Sequence, residues 1–147
     1  MSTLHVTDVA TAIAALTIPG IRLHDLPDMP QAVDTRQCPL LGPSSHEPEF
    51  LTDWVSARIS FQGNVQNAYT LNYTLFQSPA GKDRGLFVEY PAMVENAQKV
   101  ISALQAVAKV DGCKSITLAG MPAFGRVFDA SGNQFHGAKI AIRVIEF

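Results

Sequence analysis

The spacing of apolar positions changes repeatedly along the chain, and each change marks an element. Residues 6–17, VTDVATAIAALT, place Val6, Val9, Ala10, Ile13 and Leu16 at helical intervals, with Thr7 or Asp8 to cap the first turn. Pro19-Gly20 ends that helix. The segment 19–48 then carries Pro19, Pro27, Pro30, Pro39, Pro43 and Pro48, a density that excludes a regular helix. Only 21–26 and 37–41 are apolar enough for short extended pieces. A connection this long inside a small domain is usually functional or mobile.

From position 55 the period becomes two. Val55, Ala57, Ile59 and Phe61 alternate with Ser56, Arg58, Ser60 and Gln62, the pattern of a half-buried strand. Gly63-Asn64 supplies a turn, and Val65, Asn67, Tyr69, Leu71, Tyr73 and Leu75 continue as the second arm of a long hairpin. The polar stretch 78–85 then reads as an exposed, mobile loop. A second helix is expected over 91–109, with Pro91 in its first turn and an apolar stripe of Met93, Val94, Ala97, Val100, Ile101, Leu104, Val107 and Ala108. Asp111-Gly112 stops it. Strands follow at 115–118, 124–128 and 135–147, with a Ser131-Gly132-Asn133 turn. In the last strand Ala138, Ile140, Ile142 and Val144 point one way, and Lys139, Ala141 and Arg143 the other.

These elements predict an α+β fold, an antiparallel β-sheet of four to six strands with both helices packed on one apolar face, plus a proline-rich N-terminal arm over 19–52. At 147 residues the chain holds one sizeable core, so a single domain over 1–147 is expected. Charged residues make up only 16% of it, against roughly 25% in a typical soluble domain. Interface cores are depleted in charge, so the deficit points to surface spent on partners. A net charge of −2 argues against a general nucleic-acid coating protein. No apolar run reaches the length of a membrane span, and the N-terminus lacks a signal-peptide pattern, so synthesis in the cytosol and no membrane partner are expected. Cys38 and Cys113 show no CxxC spacing and read as ordinary thiols.

Motifs for catalysis fail at identifiable residues. A phosphate-binding loop ending in Gly81-Lys82 would need glycine where Phe76 stands and a hydroxyl where Asp83 stands. His46-Glu47-Pro48-Glu49-Phe50 begins like a zinc-binding helix, but Phe50 replaces the second ligand and Pro48 breaks the helix. Gly42-Pro43-Ser44-Ser45-His46 lacks the second glycine of a nucleophile elbow. His24, Asp25 and Asp28 could share a proton or a metal, although Asp beside Pro is more often turn chemistry. No cofactor and no metal site are expected. The aromatics Trp54, Tyr69, Tyr73, Phe76, Phe87 and Tyr90 fit core packing better than base stacking, because no basic residues interleave them. Arg58 and Arg143 on strands, with Lys82 and Arg84 in the loop, are the candidates for contacting phosphate.

The order of elements carries a further reading. A short helix leads into Gly20-Ile21-Arg22-Leu23-His24-Asp25-Leu26-Pro27 and then Cys38-Pro39-Leu40-Leu41. A hairpin from near Trp54, a helix over 91–109 and a closing strand Gln134-Phe135-His136-Gly137-Ala138-Lys139-Ile140-Ala141-Ile142-Arg143-Val144 follow. This order resembles the tail-terminator and tail-completion proteins of long-tailed bacteriophages, and covers most of the chain. The resemblance implies a structural, non-enzymatic subunit at the head-proximal end of the virion tail. It would form a hexameric ring that caps the tail tube, meets the head–tail connector or stopper, and lets DNA pass through its lumen. Ring closure needs a heterologous interface, for which sheet edges and the arm with Pro27 and Pro30 are candidate suppliers. Lys82, Asp83 and Arg84 are candidate interface residues facing either lumen or tube, and Arg58 and Arg143 are candidate DNA-facing residues. A head–tail stopper or other neck protein is the near alternative. A small α+β ligand-binding or enzymatic domain, with its pocket between the second helix and the sheet, and a secretion chaperone are the competing classes.

Overall fold

A computed structural model describes residues 6–24, 32–43, 55–59, 67–80, 86–105, 113–129 and 131–146. Helix α1 spans Val6–Ala14. Val9, Ala10 and Ile13 are its buried side. The sequence extends this helix to residue 17, but the backbone tightens where the Leu16 amide bonds the Ile13 carbonyl at 3.1 Å. Ile18 and Ile21 then pair in a β-bridge, with both side chains buried and Gly20 between them at φ 78°. That turn requires a left-handed residue, and glycine takes it without steric cost.

Two strands of thirteen residues form the spine of the sheet. They are β4, Asn67–Pro79, and β7, Gln134–Glu146, and they pair antiparallel from Ala68 opposite Ile145 to Pro79 opposite Phe135. The outer flank of β4 carries β3, Val55–Ile59, and β2, Leu40–Pro43, in line. The outer flank of β7 carries β5, Cys113–Leu118, and β6, Ala123–Phe128, in line. A two-residue strand β1, Arg22–Leu23, joins β2 in parallel. The sheet is therefore five strands across, in the order β1-β2-β4-β7-β5. The expected α+β architecture holds, with the parallel β1 as an addition.

Period-two burial divides the sheet into two faces. Tyr69, Leu71, Tyr73 and Leu75 of β4 and Ala138, Ile140, Ile142 and Val144 of β7 form one apolar cluster with α1 and with Val100 and Leu104 of the second helix. Both helices thus pack on one face. On the opposite face, toward one end, Val33, Leu40, Phe76, Val127 and Phe135 make a second cluster, with the Phe76 and Phe135 rings edge to face at 5.3 Å. Tyr69, Tyr73 and Phe76 are core residues, as packing predicts.

Helix α2 spans Leu86–Gln105, so its start precedes the expected one, while positions 106–109 of the expected helix lie outside the described residues. Pro91 lies inside it and not in its first turn. The helix begins early because Glu89, Met93, Ala97, Val100 and Leu104 make one continuous buried stripe. Glu89 hides the first turn of that stripe from a reading by hydropathy. Val94, assigned to the stripe from sequence, is exposed. Strand β4 also outruns its expected end: Ser78 and Pro79 are paired with His136 and Phe135, and not part of a loop. A β-bulge at this point leaves Gln77 to accept a 2.6 Å hydrogen bond from Asn96 Nδ2 of α2.

The proline-rich segment is folded onto the domain wherever it is described. The Arg22 amide donates to the Pro39 carbonyl and the His24 amide to the Leu41 carbonyl, each at 3.0 Å. Gln37, expected to be extended, belongs to a short 3-10 helix, Thr35–Gln37, capped by Asp34. Among the described residues no helix is long and apolar enough to cross a membrane.

Candidate functional site

Among the described residues, the face of the sheet away from the helices is covered only at the end where Val33 and Phe76 pack. Elsewhere its rungs are small, neutral or basic. Ser56, Thr70, Arg143 and Thr117 stand in one row across β3, β4, β7 and β5, and Arg58, Ala68, Ile145 and Ser115 in the next. Lys139 lies opposite Thr74 and Ala123 on the same face. Arg143 and Lys139 are exposed, while Thr70, Asn72 and Ala141 are half-buried. Register therefore brings positions 58 and 143, which sequence alone could not relate, to adjacent rows of one face. No Asp or Glu occupies a described strand position on it. A carboxylate-free row of this kind suits phosphate oxygens, which bind Arg and Lys without regard to base sequence.

Few of the remaining sequence candidates are among the described residues. Pro27, Pro30, Lys82, Asp83 and Arg84 lie outside the described residues, as do Asp25, Asp28, His46 and Trp54. His24 is half-buried next to β2. Among the described residues no group of three His, Cys, Asp or Glu side chains could hold a metal ion. Cys38 is half-buried, and burial, with a smaller contribution from Asp34, pushes its thiol up to about 11. Such a thiol stays protonated at neutral pH and is a poor nucleophile.

One polar cluster escaped the sequence reading. Asp129 follows β6 and is 5% exposed. Its Oδ1 accepts from the Ser131 amide at 3.0 Å and the Asn133 amide at 2.8 Å; its Oδ2 accepts from Asn133 Nδ2 and the Val33 amide, each at 2.9 Å. Burial alone raises its pKa, but the hydrogen bonds from Asn133, Val33 and Ser131 together outweigh it and hold the carboxyl below its ordinary value. The Ser131-Gly132-Asn133 turn is therefore built around an aspartate that also anchors the segment ahead of β2. The signal was the Asp-x-Ser-Gly-Asn spacing of an Asx turn.

Between α2 and the β5 end of the sheet lies a half-open cavity of about 200 Å³, lined by Ile101, Leu104, Ile116, Thr117, Leu118 and Ile142. Its described lining is aliphatic apart from one threonine, so those residues offer no convergent polar groups to orient a substrate. Along the same flank the chain departs from the sheet. Leu118 pairs with Ile142 and Ala123 with Lys139, so residues 119–122 stand opposite only 140–141. Met121, on this excursion, is 94% exposed. Beyond it Tyr90 of α2 meets Phe124 of β6 edge to face at 5.4 Å, with Val94 and Phe128 exposed on the two elements. No protein-family model and no curated protein matches the chain.

Proposed function

We propose that this chain is a structural virion assembly protein, a tail-terminator or tail-completion subunit that forms a ring at the head-proximal end of a phage tail tube. It is not an enzyme in this reading. Its partners are other copies of itself, the tail tube protein and the head–tail connector or stopper, with DNA passing through the lumen. The observation that carries the reading is the sheet face on which Lys139 and Arg143 are exposed, with no carboxylate among its described strand positions, in a chain whose net charge is −2. A channel wall for DNA requires weak, sequence-independent attraction, and a few basic groups in a neutral field supply it. The order of elements, with short strands in line on both flanks of the spine, leaves sheet edges unpaired among the described strands, a natural surface for neighbouring subunits. Negative-stain imaging of the purified protein, alone and mixed with tail tubes, tests the reading. Rings seated on tube ends are the expected result, and a monomer that ignores tube ends overturns it.

The cavity favours a second reading, a domain that binds a small apolar ligand. Binding of benzene-like probes at stoichiometric occupancy, lost when the cavity is filled, would support it.

A further inference from the structure

Strand parity sorts the described basic residues of the sheet by face. Leu23 packs against the cluster beneath the helices, so Arg22 beside it points to the opposite face, where its pairing partner Leu40 joins the Phe76 cluster. Lys139 and Arg143 share that face, and all three side chains are exposed. Arg126, also exposed, goes the other way, because its neighbour Val127 belongs to the Phe76 cluster. None of these four cations forms an ion pair. Among the described residues those that do are Arg36, with Asp34 at 3.4 Å, and Lys99, with Glu95 at 3.8 Å.

Register places the three cations of the helix-free face relative to one another. Arg22 stands opposite Leu40, Leu40 opposite Phe76, and Phe76 opposite Gly137, which precedes Lys139 by two residues and Arg143 by six. With strands about 4.8 Å apart and a rise of about 3.4 Å per residue, the Cα atoms of Arg22, Lys139 and Arg143 follow one another at roughly 16 and 14 Å. They span about 25 Å of the face, a length over which duplex DNA presents many phosphates. The carboxylate that feels the Arg22 charge, Asp34, is already engaged by the Arg36 guanidinium at 3.4 Å and the Arg36 amide at 2.9 Å. The Arg22 guanidinium is therefore left for an anion from outside the chain, and its planar fork of donors matches phosphate oxygens.

We propose that Arg22 is a third phosphate contact on this face, so that duplex DNA crosses the strands obliquely, from Arg22 on β1 to Lys139 and Arg143 on β7. This contact rests on the DNA-facing reading of the sheet face and is independent of ring closure. Fluorescence anisotropy on the full chain, with two unrelated DNA duplexes over a range of salt concentrations, tests it. Arg22→Ala is expected to reduce the slope of log affinity against log salt by about 1, for both duplexes alike. Arg22→Gln, which keeps most of the side-chain length and removes the charge, should do the same, and Arg22→Lys should retain the wild-type slope. Arg126→Ala, at an exposed arginine of the other face, should leave the slope unchanged. A slope unaltered in Arg22→Ala and Arg22→Gln but reduced in Arg143→Ala overturns the Arg22 contact and leaves the DNA-facing reading standing. A slope reduced equally in Arg126→Ala also overturns it, because net charge and not this face would then govern binding. Wild-type protein that binds neither duplex at low salt overturns the contact and the DNA-facing role together, whereas rings on tube ends are scored separately by imaging.

Discussion

The Val33 amide donates to the Asp129 carboxylate across ninety-six residues of sequence, at 2.9 Å. The bond joins the segment that leads into β2 to the turn between β6 and β7. Both ends of it are buried, so the carboxylate cannot fall back on water if the amide is lost, nor the amide if the carboxylate is lost.

Asp129→Ala should therefore destabilise the fold by about 3 kcal/mol, because it strands the Val33, Ser131 and Asn133 amides together. Asp129→Asn should cost less, since an amide oxygen still accepts from some of them. Urea midpoints of the two variants check both values, and equal, negligible shifts would remove the anchoring role.

The same carboxylate sets an acid limit. Its folded pKa lies below its unfolded one, so the folded state gains stability wherever the group is ionised in both states, above the ordinary aspartate range near 4. That contribution disappears as the pH falls through the folded value. Wild-type stability should decline below about pH 4 more steeply than that of Asp129→Asn, as followed by urea midpoints between pH 2 and 6.

Gly137 and Gly125 face each other across the β6–β7 ladder and make a matched pair. A Cβ on Gly137 would run into the Leu75 carbonyl oxygen and come within 2.8 Å of Val127 Cγ2, whereas one on Gly125 would meet nothing within 4 Å. Gly137→Ala should cost about 3 kcal/mol or prevent folding, and Gly125→Ala should change stability by less than about 0.5 kcal/mol. Thermal melts of the pair decide it.

For the open sheet face the relevant readout is salt dependence. Arg143→Ala and Lys139→Ala should each weaken binding to duplex DNA by a similar factor whatever its sequence, and each should reduce the slope of log affinity against log salt by about 1. Fluorescence anisotropy with two unrelated duplexes measures both quantities. An unchanged slope would remove the DNA-facing role of this face.

Cys38 should react slowly with a disulfide reagent at pH 7.5 in a Cys113→Ser background, with the rate rising steeply toward pH 11. Rapid modification at neutral pH would contradict the raised thiol pKa.

The legible parts of this fold were those whose burial obeys a single period. Ala138, Ile140, Ile142 and Val144 declare their strand because one face of it is covered by helices and the other carries Lys139 and Arg143. Phe76 and Phe135 do not, because each sits on the opposite parity and is buried by a second cluster whose members come from distant segments. The start of α2 was obscured by two residues: Pro91 resembles a first-turn proline, and Glu89 is a charged residue in a buried stripe. Of the candidate site, the outward side of β7 was readable, but the adjacency of the rows that hold Arg58 and Arg143 depends on strand register. The Asp129 anchor rests on one local turn, which has a sequence signature, and one long-range partner, which has none.

The spine has a consequence for how the molecule assembles itself. Every rung between β4 and β7 closes a loop of roughly 56 to 77 residues, an entropic debt that local contacts do not carry. The β3–β4 and β6–β7 hairpins close over far shorter spans, and the second is already organised by Asp129 and Gly132. Folding should then begin in the two hairpins, with the seam between β4 and β7 closing late. Conservative truncations at Val127, inside a hairpin, should slow folding, while Ile142→Val, on the seam, should chiefly speed unfolding.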